Sequence, residues 1–128
     1  MARILVIDDS ASVLTSLDFY LRQAGHETHL ASDGPTGLAA AAQQTFDFIL
    51  LDLEMPRMSG IEVCKALKGD SKLAAVPVII MTGCSLKGFH EQALTAGAKV
   101  ILTKPFDFGA LDASLKTDLP SGGCCLAA

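Results

Sequence analysis

Five polar residues follow short apolar runs in this 128-residue chain, and together they could carry out one kind of chemistry. They bring three carboxylates, one hydroxyl and one ammonium group, on Asp8, Asp9, Asp52, Thr82 and Lys104. Three crowded carboxylates repel one another strongly unless a cation lies among them. An all-oxygen ligand set with room for water suits Mg²⁺. A lysine and a hydroxyl opposite that ion would hold an anion, most naturally a phosphoryl group.

The elements that must position these residues are short apolar runs that alternate with helical stretches. The predicted strands are Ile4–Ile7, Glu27–Ala31, Phe48–Leu51, Val76–Met81 and Val100–Leu102. Apolar residues at helical spacing predict helices over Ala11–Ala24, Pro35–Gln44, Ile61–Lys68, Gly88–Ala96 and Ala110–Thr117. Strict alternation predicts an α/β fold, in which helices cover both faces of a parallel sheet. Ligands of such sheets bind beyond the carboxyl ends of the strands, where the five polar residues lie.

The composition argues against several other classes of protein. Half of the residues (50%) are hydrophobic and 19% are charged, so one packed domain is expected. The net charge of -4 and the lack of a basic run argue against direct nucleic-acid binding. No apolar run is long enough to span a bilayer, and the first residues do not resemble a secretory signal. We therefore expect a cytoplasmic protein without a membrane partner.

The cysteines and the last residues have no evident part in this chemistry. The four cysteines show neither metal-ligand spacing nor a disulfide framework. Cys64 shares an apolar helical stripe with Ile61 and Leu67, so we predict that it is a small buried hydrophobic residue. After Leu119 the sequence becomes rich in glycine and small residues. We therefore predict one domain over residues 1–119 and a flexible tail over residues 120–128.

Each polar residue also has a simpler interpretation. An aspartate between a strand and a helix often caps the helix, and this role stays open for Asp9, although Ser10 could supply the cap instead. Thr82 alone could form a turn, and Lys104 alone could be a solvated surface charge. Capping explains poorly why five such residues follow four different strands, so we favour a shared site.

The same residues lie in motifs that resemble those of bacterial response-regulator receiver domains. Residues 4–10, Ile-Leu-Val-Ile-Asp-Asp-Ser, are similar to the opening of that family. Residues 52–60, Asp-Leu-Glu-Met-Pro-Arg-Met-Ser-Gly, are similar to its phosphoacceptor loop, and Thr82-Gly83 and Lys104-Pro105-Phe106 follow in the family's order. The resemblance covers roughly residues 3 to 118. It implies a flavodoxin-like sheet of five parallel strands in the order 2-1-3-4-5, with five helices.

The resemblance implies how the carboxylates would be used. Asp52 would be the nucleophile, phosphorylated by transfer from a phosphohistidine. Asp9, Asp52 and the backbone carbonyl of Glu54 would ligate Mg²⁺ directly, and Asp8 would act largely through water. The implied partners are a histidine kinase or a histidine phosphotransfer protein.

The resemblance also implies how the phosphoryl group would be bound. Lys104 would contact its oxygens, the hydroxyl of Thr82 would donate a hydrogen bond to it, and the backbone N–H groups of Leu53 and Gly83 would point at it. Such a domain catalyses its own phosphorylation and dephosphorylation and is a signalling switch, not a turnover enzyme. It would bind an unidentified downstream protein through its fourth helix, fifth strand and fifth helix, a face through which a homodimer could also form.

One position departs from the family pattern. Many receivers have Tyr or Phe on the fifth strand where this chain has Ile101, so we expect the signal to pass through small packing shifts there.

Two rival functions fit the sequence less well. A phosphatase or phosphotransferase of the haloacid dehalogenase class would need Asp-x-Asp, whereas this chain has Asp52-Leu53-Glu54. A scaffold that is never phosphorylated is the second rival, and the intact acidic set together with Lys104 argues against it.

Overall fold

Strands and helices alternate in a computed structural model that describes residues 2–53, 55, 58–82, 91–92, 94–98 and 100–103. Its elements are β1 (Arg3–Ile7), α1 (Ala11–Gln23), β2 (Glu27–Ala31), α2 (Gly34–Gln43), β3 (Phe48–Asp52), α3 (Gly60–Gly69), β4 (Val78–Thr82) and β5 (Val100–Thr103). Residues 91, 92, 94 and 95 are also helical and lie within the predicted fourth helix. The predicted fifth helix and the predicted tail lie outside the described residues.

The five strands form one parallel sheet in the order β2-β1-β3-β4-β5. The predicted α/β class, the parallel pairing and the strand order are therefore confirmed. Ile7 pairs with Leu51 between β1 and β3, and Asp52 pairs with Met81 between β3 and β4. Because parallel strands end at the same edge, the residues that follow β1, β3 and β4 meet on one side of the sheet.

Both faces of the sheet are covered by helices, which explains why its central strands are apolar throughout. Successive residues of a strand point to opposite faces, so each strand contributes to two separate cores. The core on the α1 face has as its buried members Ile4, Val6, Leu17, Leu21, Leu50, Ile79, Met81 and Leu102. The larger core on the other face joins the sheet to α2 and α3, and its buried members include Leu5, Ile7, Leu51, Val63, Leu67 and Ile80. The polar edge thus belongs to a sheet that is fixed from both sides.

The start of β4 differs from the prediction by two residues. The strand begins at Val78, not at Val76. Pro77 separates the two residues and has no N–H group to donate to a strand ladder. The Pro77 carbonyl oxygen still accepts a hydrogen bond from the Ile49 N–H at 3.0 Å, so the contact with β3 extends back to the proline.

The last turn of α3 is tied to the segments around it. The Nζ of Lys68 donates hydrogen bonds to the carbonyl oxygens of Ala74 at 3.0 Å and Val76 at 2.8 Å. Cys64, one turn earlier, is fully buried, and its Sγ donates to the carbonyl oxygen of Ala96 at 3.5 Å. Burial raises the pKa of the Cys64 thiol. The prediction that Cys64 is a buried core residue is therefore confirmed.

A small polar network joins α1 to the edge strand β2. The hydroxyl of Thr28 donates a hydrogen bond to the carboxylate of Asp18. The Nε of Arg22 donates to the same carboxylate at 2.8 Å and to the Thr28 hydroxyl oxygen at 3.2 Å. The Thr28 hydrogen bond, followed by that of Arg22, lowers the pKa of Asp18. The network therefore stabilises the fold more strongly when Asp18 is ionised.

This network gives the fold a pH-dependent contribution to stability. Because the pKa of Asp18 is lower in the folded protein, its contribution is fully present above the unfolded value of about 4 and is lost as the pH falls through the folded value. We expect Thr28→Val to lower the free energy of unfolding by about 1 kcal/mol at pH 7. That deficit should shrink below a pH of about 4. Urea unfolding of both proteins, followed by circular dichroism from pH 7 to pH 3, measures it.

The matched control for this prediction is Thr15→Val, which makes the same chemical change at an exposed position of α1. It should change stability little at either pH. A Thr28→Val deficit that is equal at pH 7 and pH 3 would contradict the assignment of the pH dependence to Asp18.

Candidate functional site

Three carboxylates meet where β1 and β3 end. One carboxylate oxygen from each of Asp8, Asp9 and Asp52 lies within 4.8 Å of the other two. Asp8 is 0% exposed and Asp52 is 3% exposed, whereas Asp9 is exposed to solvent. The structure therefore brings together the three acidic residues that the sequence placed at this edge. Buried carboxylates so close together favour a bound cation, and the all-oxygen set fits Mg²⁺.

The geometry of Asp8 is set by the start of α1. Its backbone N–H donates to the carbonyl oxygen of Ala31 at 3.1 Å, which extends the contact between β1 and β2. Its Oδ1 accepts a hydrogen bond from the backbone N–H of Ser10 at 2.8 Å. One of the two carboxylate oxygens is thus held in a fixed direction by the main chain.

Ser10, and neither aspartate, caps α1. The Ser10 Oγ accepts a hydrogen bond from the Val13 N–H at 3.4 Å. The alternative that Asp9 is only a helix cap is therefore wrong, and the other alternative, a cap by Ser10, is what the structure shows. This arrangement leaves the exposed carboxylate of Asp9 on the solvent side of the carboxylate cluster.

Thr82 ends β4, the strand next to β3. It is fully buried, and its backbone pairs with that of Thr103 in β5. Since Asp52 pairs with Met81, Thr82 lies one residue beyond the partner of the phosphoacceptor candidate. The sheet thus brings Thr82 to the edge predicted for it.

The backbone of Leu53 continues the pairing of β3 with β4. Its N–H donates to the carbonyl oxygen of Met81 at 2.9 Å, so the ladder between β3 and β4 continues one residue past Asp52. Binding of a phosphoryl group by the Leu53 N–H stays a prediction. The side chain of Leu53 is buried in the core beside α3.

Gly60 is a feature of the site that the residue chemistry did not single out. It is the first residue of α3, it is buried, and its N–H donates to the carbonyl oxygen of Leu53 at 2.9 Å. The sequence signal was a glycine between Ser59, which can cap a helix, and the apolar stripe of the predicted helix. Such a glycine indicates a tight approach but does not reveal which segment is approached.

Three further residues predicted for the site lie outside the described residues. They are Glu54, Gly83 and Lys104. Their roles in binding the metal or the phosphoryl group stay predictions.

Comparison with known proteins identifies the family of this chain. Residues 4–116 match the family model described as the response regulator receiver domain. The chain therefore belongs to the response regulator receiver family. It is a CheY-like receiver of two-component phosphorelay signalling, in which such domains interact with histidine kinases and downstream effectors.

Individual relatives are similar over most of this chain. The response regulator PleD of Caulobacter vibrioides is 43% identical over 106 residues, which cover 83% of this chain and 23% of PleD. The chain spans between 23% and 53% of the length of several curated relatives. Among the residues that the structure describes, no helix is long and apolar enough to cross a membrane.

Solved structures share the fold over nearly the whole chain. The chemotaxis protein CheY4 of Vibrio cholerae superposes with a TM-score of 0.87 at 34% identity, covering 93% of this chain and 99% of that one. The receiver domain of sensor histidine kinase PA1611 from Pseudomonas aeruginosa gives a TM-score of 0.84 at 30% identity, covering 90% and 94%. The PA1611 structure has a magnesium ion coordinated in its active-site cleft.

Proposed function

We propose that this protein is a phosphorylation switch in which Asp52 accepts a phosphoryl group from a histidine kinase or a histidine phosphotransfer protein. The observation that carries the proposal is the cluster of Asp8, Asp9 and Asp52 at the carboxyl edge of a receiver sheet. Of the three, only Asp52 is itself the last residue of a strand, the central strand β3, which pairs with β1 on one side and β4 on the other. That position fixes the backbone of the nucleophile while its carboxylate lies beside the other two.

The same carboxylates would hold Mg²⁺. Asp9 and Asp52 would be direct ligands, together with the carbonyl oxygen of Glu54. Asp8 would act through water, which agrees with its Oδ1 being already engaged by the Ser10 N–H. When bound, the ion offsets the charge repulsion between the carboxylates and an incoming phosphoryl group.

The transfer would be a displacement at phosphorus. A carboxylate oxygen of Asp52 attacks, the P–N bond to the histidine of the donor breaks, and the released imidazole nitrogen takes up a proton. Lys104 and the hydroxyl of Thr82 would stabilise the phosphoryl oxygens, with the N–H of Gly83 as a main-chain donor. Attack of water on phosphorus later breaks the bond to Asp52, releases inorganic phosphate and resets the switch.

Partner binding would change with phosphorylation through the face formed by the fourth helix, the fifth strand and the fifth helix. Ile101 of β5 is 2% exposed and belongs to the larger core. A residue that is already buried has no outward orientation from which to rotate inward. The proposal is therefore that Ile101 transmits the change through small shifts in packing. A homodimer through this face is part of the same proposal.

Intact-protein mass spectrometry with a small phosphodonor tests the proposed chemistry. Incubation with acetyl phosphate should add one phosphoryl group in the presence of Mg²⁺ and none in the presence of a chelator. Reduction of the product with borohydride, which converts an aspartyl phosphate into homoserine, should place the change at residue 52 in peptide sequencing. A folded protein that gains no mass with Mg²⁺ present would favour the unphosphorylated scaffold instead.

A further inference from the structure

The first residue of α3 lies directly against the backbone of the phosphoacceptor candidate. A Cβ atom on Gly60 would lie 2.4 Å from the carbonyl oxygen of Asp52 and 2.6 Å from the Cα of Leu53. It would also lie 3.0 Å from the carbonyl carbon of Asp52. Non-bonded carbon and oxygen atoms do not approach so closely, so any side chain at this position must displace one of the two segments.

Neither segment can move freely. The end of β3 is held by the pairing of Asp52 with Met81 and by the hydrogen bond from the Leu53 N–H to the Met81 carbonyl oxygen. On the other side, the first turn of α3 is held by its cap, because the Ser59 Oγ accepts a hydrogen bond from the Glu62 N–H at 3.3 Å. Clashing atoms on a main chain cannot rotate away as the end of a side chain can. The displacement would therefore reach the backbone of Asp52 itself.

We propose that Gly60 is a positioning residue for the reaction of Asp52, an inference that rests on the proposed phosphorylation. Because Gly60 has no side chain, the start of α3 can pack directly against the carbonyl group of Asp52. The Gly60 N–H donates a hydrogen bond of 2.9 Å to the Leu53 carbonyl oxygen, which holds the two segments together. This hydrogen bond ties the start of α3 to the residue that directly follows β3. The packing of Gly60 against this backbone therefore sets the position of the Asp52 carboxylate relative to the carboxylates of Asp8 and Asp9.

Gly34 provides a matched control within the same chain. It too is a buried first residue of a helix, α2, and it too follows a capping residue, Asp33. A Cβ on Gly34 would lie 2.8 Å from Cγ2 of Val63 and 3.1 Å from the Cβ and Sδ atoms of Met58. These are side-chain atoms, and none of them belongs to a residue of the carboxylate cluster. Gly34→Ala therefore imposes crowding at a helix start without pressing on the backbone of Asp52.

The test compares wild type, Gly60→Ala and Gly34→Ala, each first shown to be folded by circular dichroism. The initial rate of phosphorylation by acetyl phosphate is measured at saturating Mg²⁺, and Mg²⁺ affinity is measured separately by titration followed in ¹H–¹⁵N spectra. Because small misplacements of reacting groups have large effects on rate, Gly60→Ala should react at least about tenfold more slowly. Its half-saturating Mg²⁺ concentration should rise, and the amide signals of Asp52 and Leu53 should move. Gly34→Ala should stay within about twofold of wild type in both measurements.

If Gly60 has a purely structural role, Gly60→Ala and Gly34→Ala should both lower thermal stability. The rate at which folded Gly60→Ala is phosphorylated should then equal that of wild type. A folded Gly60→Ala protein with the wild-type rate and Mg²⁺ affinity would overturn the inference. If Gly60→Ala is not folded in buffer, the same comparison is made for all three proteins in trimethylamine N-oxide, which favours the folded state. Failure of wild type itself to accept a phosphoryl group would count against the proposed function, so the two failures are distinguishable.

Discussion

Asp52→Asn is expected to accept no phosphoryl group from acetyl phosphate at any Mg²⁺ concentration. An amide is not a nucleophile toward phosphorus, and the substitution also removes one of the three charges that would hold the ion. Loss of the attacking group in enzymes lowers the rate by on the order of a thousandfold or more, so intact mass spectrometry should detect no product. Circular dichroism should show a folded protein, since the substitution is nearly isosteric.

A second variant separates metal binding from nucleophilic attack. Asp9→Asn keeps Asp52 intact but weakens the ligand set on its solvent side, so labelling should need a higher Mg²⁺ concentration and still occur when the ion is in excess. Asp47→Asn is the control. Its Oδ2 accepts a hydrogen bond from the Arg3 N–H at 2.8 Å, at the opposite edge of the sheet, and labelling should be unchanged.

The outcome that would contradict the first prediction concerns Asp52→Asn. Labelling of Asp52→Asn equal to that of wild type would show that another residue is the acceptor.

Leu50→Ala is expected to lower the stability of the fold strongly. Leu50 is 0% exposed, lies in the central strand β3, and belongs to the core against α1. Replacement of a fully buried leucine by alanine removes apolar contacts and leaves a cavity, which together lower the free energy of unfolding by about 3 kcal/mol. This is a large part of the roughly 5–15 kcal/mol by which domains are stable. Urea unfolding followed by circular dichroism measures it.

The same substitution at Leu30 is the control for this prediction. Leu30 lies in the edge strand β2 and is 38% exposed, so Leu30→Ala should cost less than about 1 kcal/mol. Equal losses at the two positions would contradict the division of the sheet into a deeply buried centre and an exposed edge.

The arrangement of the acidic residues could be predicted from the sequence because it depends on topology alone. Asp8, Asp9 and Asp52 directly follow apolar strands, and the strands of a parallel sheet end at one edge. The start of α1 was also within reach, since Ser10 is one of the residue types that cap helices well. Such features are local or follow from the alternation of strands and helices.

Other features depend on contacts between segments that are distant in the sequence, and no local sequence pattern predicts those contacts. The N–H of Leu53 donates to Met81 because the ladder continues past Asp52, and its length is decided by how β3 and β4 align. The need for glycine at position 60 arises from the approach of α3 to the backbone of Asp52 and Leu53, which no local pattern specifies. Resemblance to a family supplied the motif that ends in this glycine but not the steric reason for it.

Chemical labelling of lysines should distinguish Lys68 from its neighbours. Its ammonium group donates to two carbonyl oxygens, whereas the side chains of Lys65 and Lys72 are exposed. An acylating reagent needs a free, deprotonated amine, so Lys68 can react only after it leaves the carbonyl oxygens of Ala74 and Val76. Under limiting acetylation with an N-hydroxysuccinimide ester, peptide mass spectrometry should find Lys65 and Lys72 modified well before Lys68. In urea the three should react alike, and the rate at Lys68 in buffer therefore reports how often the turn after α3 opens.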